Sequence, residues 1–133
     1  MTSRTTAIFK NDGTNGILRG ESGSGETLTM DRANGSGMSA GEMLLMSMAS
    51  CTLGTVKEYL VAHEIEAGSL RVEASCSFDE RDQRYVDFEL VLKCSADTPA
   101  RTQTAMLNAA KTCRISRTLH GGPNIAVALE ASL

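Results

Sequence analysis

Four cysteines, at positions 51, 76, 94 and 113, are the residues of this chain best suited to covalent chemistry. No two form a CxxC pair, so a zinc knuckle is not indicated, and four widely spaced thiols in 133 residues do not make a disulfide scaffold. Each is therefore weighed by its company. Cys76 and Cys94 lie in stretches of strict alternation and fall on the apolar side of each, where cysteine behaves as a small hydrophobe. If their hairpin turns near Asp82, Cys76 faces Phe88 and Cys94 faces Leu70, roughly 20 Å apart along the sheet and far too distant for a disulfide.

Cys51 has small or hydroxylated neighbours, Ser47, Ala49, Ser50, Thr52, Gly54 and Thr55, which leave room beside a helix. Either another element packs closely there or a pocket opens beside the thiol. Cys113 is followed by Arg114, Arg117 and His120, and cations favour a thiolate, the nucleophilic form of cysteine. The two cysteines can meet only if the fold brings their elements together. His63 and His120 read as a helix-terminal cation and a loop residue rather than as catalytic bases. Arg19 and Arg32, taken alone, read as surface arginines, and Met43, Met46 and Met48 as adaptable packing. The run Gly20-Glu21-Ser22-Gly23-Ser24-Gly25 lacks the GK[ST] ending of a phosphate loop.

The elements that must position these residues follow from periodicity. Residues 1–37 are rich in Gly, Ser, Thr and Asn, with short extended stretches at Thr5 to Lys10, Gly16 to Gly20 and Thr27 to Asp31, and read as a three-stranded meander. A helix opens near Ser39, with Glu42 at the spacing of a capping box, and runs to about His63, roughly 35 Å at about 1.5 Å per residue. Leu44, Met48, Cys51, Thr55 and Tyr59 form one line along it and Leu45, Ala49, Thr52, Val56 and Leu60 a second, the mark of a buried helix. Leu70 to Asp79 and Val86 to Cys94 alternate with period two and form a hairpin. Thr98-Pro99 starts a second helix, which runs to about Thr112. Residues 113–119 add a turn or two before Gly121-Gly122-Pro123, and Ile125, Val127, Leu129 and Ala131 alternate as a last strand. The expectation is one α+β domain over residues 1–133, βββ-α-ββ-α-β, with a mostly antiparallel sheet. A long helix apolar on several sides needs more cover than one small sheet supplies, so a homodimer is expected.

Composition narrows the partners. Aromatics are 4%, Trp is absent and the formal charge is -3, which argues against base stacking and phosphate-backbone binding. The longest uncharged run, Met43 to Val56, is too short for a membrane span, and no secretory signal is visible, so a cytoplasmic location is expected.

The segment Ser39-Ala-Gly-Glu-Met-Leu-Leu-Met-Ser-Met-Ala-Ser-Cys51-Thr resembles the P-x-E-L-L-x-x-x-L-x-x-C-T signature of the OsmC/Ohr family, the osmotically inducible and organic hydroperoxide resistance proteins. Ala109-Ala110-Lys111-Thr112-Cys113-Arg-Ile-Ser116-Arg-Thr-Leu119 is similar to its A-x-x-x-C-P-V-S-x-x-L motif, and the likeness extends over the whole chain. Here Gly41 or Ala40 replaces the usual proline, and Arg-Ile follows Cys113 in place of Pro-Val.

The resemblance implies an intertwined homodimer with an active site at each subunit junction. It implies that Cys51 is the peroxidatic thiolate, oxidised by an organic hydroperoxide to a sulfenic acid, and that Cys113 resolves it as a disulfide. A lipoyl or thioredoxin-like dithiol then restores the pair, and no metal or flavin takes part. Arg32, nineteen residues before Cys51, matches the thiolate-stabilising arginine, with Arg19 second, and Glu42 the carboxylate that orients it. The competing expectation is a non-catalytic dimer of the same kind that binds a small apolar ligand at the junction.

Overall fold

The computed structural model describes residues 4–9, 18–30 and 37–132. They divide into two compact units, Met1–Met46 and Ser47–Leu133.

In the first unit, β1 (Thr5–Phe9), β2 (Leu18–Ser22) and β3 (Thr27–Met30) form the expected antiparallel meander in the order β1-β2-β3. Thr5 pairs with Ser22 across the first ladder and Leu18 with Met30 across the second. The β2–β3 turn closes through the Gly25 amide, which donates to the Ser22 carbonyl at 3.1 Å, and Gly25 takes the left-handed φ of 96° that suits a residue without a Cβ. The hydroxyls of Ser22 and then Ser24 donate to the Glu26 carboxylate and hold its pKa down to about 2.

Helix α1 (Ala40–Ala62) begins with the capping box expected from its sequence. The Ser39 amide donates to Glu42 Oε1 at 3.0 Å and the Glu42 amide donates to Ser39 Oγ at 3.2 Å, satisfying two amides that a helix start leaves unpaired. Its buried positions are Met48, Thr52, Val56 and Leu60, a single stripe at four-residue spacing that crosses both of the lines read from the sequence. The remaining faces are only partly covered within this chain: Met46 is 50% and Val61 71% exposed.

In the second unit, β4 (Arg71–Asp79) and β5 (Arg84–Lys93) form the expected antiparallel hairpin. Its base keeps the register implied by a turn near Asp82, with Arg71 opposite Lys93 and Ala74 opposite Leu90. The turn half is shifted by one: Ser75 pairs with Glu89 but Ser77 with Val86, so Cys76 meets a bulge that contains Phe88 rather than a ladder position. Asp87 accommodates the extra residue with φ 55°. On the wet face Glu73 pairs with Lys93 at 3.1 Å and Arg71 at 3.3 Å, exposed contacts that add little stability.

Helix α2 (Ala100–Ala110) starts directly after Pro99, and α3 (Arg114–Leu119) is a separate short helix that begins immediately after Cys113. The alternating run after Pro123 forms no strand. Alternation prepares a segment to pair but does not provide a neighbouring edge, and Ile125, Val127 and Leu129 remain 81%, 93% and 96% exposed.

The core of this unit joins α1, α2 and the hairpin. Val56, Leu60 and Met106 are buried together, with Tyr59, Ile65, Leu70, Leu92 and Cys94 packed against them. Met106 is 1% exposed, so Met106→Ala leaves a cavity as well as losing apolar contact. The expected cost is about 2–5 kcal/mol, read as a lower urea midpoint at unchanged slope.

Candidate active site

Two elements far apart in sequence supply the site. Cys51 lies on α1, half-buried; Cys113 is the residue between α2 and α3 and is fully buried, at 0% exposure. Helix α2 ends with the Thr112 and Cys113 amides donating to the Ala109 and Ala110 carbonyls at 3.0 and 3.2 Å, which turns the chain inward at Cys113. The Cys113 carbonyl then accepts the Arg117 amide at 3.0 Å to begin α3.

Burial by itself pushes the Cys113 thiol up, because a thiolate loses hydration there. Donors outweigh it: the Thr52 hydroxyl first, then the Ser116 amide, the Cys51 thiol and the Ser116 hydroxyl, which together lower the pKa from 9.0 to about 7. The Cys51 thiol thus lies among the groups that neighbour the Cys113 sulfur. Thr52 Oγ1 and Ser116 Oγ are both buried with no hydrogen-bond partner among the described residues, two unused donors beside the Cys113 sulfur. Thr52 is 2% exposed, the one polar residue in the buried stripe of α1.

This corrects the expected source of charge stabilisation. Arg114, Arg117 and His120 lie at exposed positions and are not among the causes of the Cys113 shift. Hydroxyl and amide dipoles do the work assigned to cations. A hydroxyl interrupting an apolar line was the available signal for Thr52, and Ser116, one turn beyond Cys113, was the signal for its partner.

The other candidates are placed as follows. Glu42 caps α1, and its hydrogen bonds with the backbone and then the side chain of Ser39 lower its pKa. Arg19 is exposed on β2, where it pairs with Ile8 and Thr29. Arg32 lies outside the described residues. His63 Nδ1 is 2.9 Å from the Tyr59 carbonyl and its ring stacks on Tyr59 at 4.0 Å, a helix-terminal role. Cys94 packs on the core and Cys76 sits half-buried on β4. Among the described residues no group of His, Cys, Asp or Glu is arranged to hold a metal ion, and no helix is long and apolar enough to cross a membrane.

An open groove of about 510 Å³ runs between α1 and α2 past Thr55, Tyr59, Thr104, Ala105, Ala109 and Thr112; neither Cys51 nor Cys113 lines it, Thr55 lying one turn after Cys51 and Thr112 preceding Cys113 in sequence. Thr55 Oγ1 donates to the Cys51 carbonyl at 2.8 Å, which fixes that turn of the helix at the groove wall.

Known structures share this architecture. An OsmC-like protein from Mycoplasma pneumoniae superposes with a TM-score of 0.75 at 18% identity, covering 95% of this chain and 96% of that one. A protein described as a putative osmotic stress induced and detoxification response protein, from Psychrobacter arcticus, gives 0.73 at 20% identity, covering 91% and 89%. The organic hydroperoxide resistance protein OhrB of Bacillus subtilis gives 0.62 at 18% identity, covering 92% and 94%. At these identities the likeness concerns the fold. Among curated proteins no relative matches the chain. The profile of the OsmC-like protein family matches residues 33–128, a span that contains both Cys51 and Cys113, and the chain belongs to that family.

Proposed function

We propose that this protein is a thiol-dependent peroxidase that reduces organic hydroperoxides. The observation that carries the reading is that Cys51, half-buried on α1, neighbours Cys113, which is buried among donors between α2 and α3. Family membership and the hydroperoxide resistance protein among its structural neighbours support it.

In this cycle the Cys51 sulfur attacks the terminal oxygen of the hydroperoxide and the O–O bond breaks. The alkoxide takes up the proton that Cys51 released on forming its thiolate and leaves as an alcohol, and Cys51 becomes a sulfenic acid. The Cys113 thiolate then attacks the Cys51 sulfur, the S–O bond breaks, and hydroxide leaves as water once protonated. A dithiol, lipoyl or thioredoxin-like, reduces the resulting disulfide and is itself oxidised. Arg32, or Arg19, and Glu42 belong to this proposal as the arginine that holds the thiolate and the carboxylate that orients it. A homodimer belongs to it as well: Phe78, Tyr85 and Phe88 are 49%, 42% and 39% exposed on the hairpin, and the alternating tail is open, apolar surface that a second copy would cover.

One equivalent of cumene hydroperoxide should remove two daltons from the reduced protein, mapped by peptide mass to a Cys51–Cys113 bond, with hydrogen peroxide slower. Cys51→Ser should abolish the loss. Thiols that stay reduced, or oxidation confined to Cys76 and Cys94, would sink the peroxidase reading.

The pH dependence follows from Cys113. Its folded pKa, about 7, lies below the ordinary 9.0, so charging favours the folded state. That stability is fully present above about pH 9 and is lost as pH falls towards 7. Reduced wild-type protein should therefore gain stability over Cys113→Ser between about pH 7 and 9, measured by chemical denaturation across that range. Thiolate absorbance at 240 nm should show a component with a midpoint near pH 7 that Cys113→Ser removes.

A further inference from the structure

We propose that reduction of the cysteine pair is one-sided: the incoming dithiol attacks Cys51, and Cys113 leaves as a thiolate received by Thr52 and Ser116. This rests on the Cys51–Cys113 disulfide of the preceding reading and assigns two positioning residues to its reductive half.

Three observations carry it. Access differs between the sulfurs, because Cys51 is half-buried whereas Cys113 has no exposed surface, so a nucleophile from solvent meets Cys51. Donors also differ: the hydroxyls of Thr52 and Ser116 are buried beside the Cys113 sulfur with no hydrogen-bond partner among the described residues, so a thiolate forming there gives both a partner. In thiol–disulfide exchange a sulfur leaves more readily the more its thiolate is stabilised, and these donors stabilise the Cys113 thiolate. Third, the donors are already placed. Thr52 is fixed in the buried stripe of α1, and Ser116 is fixed in α3, where its carbonyl accepts the His120 amide at 3.0 Å.

The step balances as an ordinary exchange. The reductant's first thiolate forms a bond to Cys51 Sγ, the Cys51–Cys113 bond breaks, and its electron pair goes to Cys113 Sγ. The second thiol of the reductant, deprotonated, attacks the reductant sulfur of this mixed disulfide. Cys51 is released with the second electron pair and takes up a proton, and the dithiol departs as a disulfide. Cys113, held as a thiolate by fixed donors, is not required to find a proton at the moment the bond breaks.

A monothiol stops this sequence at its first intermediate. The Cys51–Cys113 bond is made with diamide, which needs no peroxidase activity, and the oxidised protein is treated briefly with glutathione, quenched in acid and mapped by mass. The expected result is glutathione on Cys51 alone. Glutathione on Cys113, or on both, overturns the proposal and leaves the peroxidase reading standing. If diamide forms the bond and cumene hydroperoxide does not, the peroxidase reading fails while the site of glutathione attack still decides this one. If diamide forms no such bond, both fall.

The role of Thr52 is tested by the rate at which dithiothreitol reduces the same bond. Thr52→Val removes the hydroxyl at nearly constant volume and should slow reduction roughly three- to tenfold, as expected if the leaving thiol becomes less acidic by about one to two pKa units. Thr52→Ser should restore the rate. Ser116→Ala should slow it as well, and wild-type rates in both Thr52→Val and Ser116→Ala would overturn the assignment.

Discussion

Helix α1 meets α2 where Val56 and Leu60 close over Met106, and the candidate chemistry depends on that contact. One turn before Val56 the same buried stripe carries Thr52, and one turn beyond Ala109 the chain reaches Cys113. Apolar packing thereby brings a hydroxyl and a thiol into a space that excludes water. In that space a few dipoles outweigh the cost of desolvating a sulfur anion, and the arginines that follow Cys113 remain at exposed positions.

The division between the two sulfurs follows from the elements that hold them. A residue part-way along a helix buried on one stripe, such as Cys51, lies beside that stripe and keeps some contact with solvent. A residue between two helices, such as Cys113, is turned inward by the end of α2 and offers its carbonyl to the start of α3. The more exposed sulfur thus meets reagents, and the buried one lies among donors that favour its charge.

Much of this was legible in the residues. Ser39 and Glu42 marked the start of α1 through a spacing whose hydrogen bonds are local, and the alternation from Leu70 to Cys94 marked both strands and the register at their base. What was not legible depends on non-local or conformational facts. The shift at Cys76 comes from the left-handed φ of Asp87, which no side-chain pattern announces. The run Ile125 to Ala131 alternates like a strand, yet a ladder needs a second edge and this chain leaves the run unpaired. Arg114 and Arg117 were expected to charge Cys113 because they adjoin it in sequence. On a helix such neighbours point in different directions, and Ser116 is the one that serves the sulfur.

The donors around Cys113 also bear on the poise of the couple to which it would belong. They are present in the folded dithiol and favour a charge that a disulfide does not carry, so they stabilise the reduced form over the oxidised one. A couple biased in this way has a more positive midpoint potential than a pair of unperturbed thiols, as in oxidoreductases whose reduced state is stabilised by an acidic cysteine. Because the charge develops only as pH rises through about 7, the bias towards the reduced pair is small at neutral pH and grows in alkaline conditions.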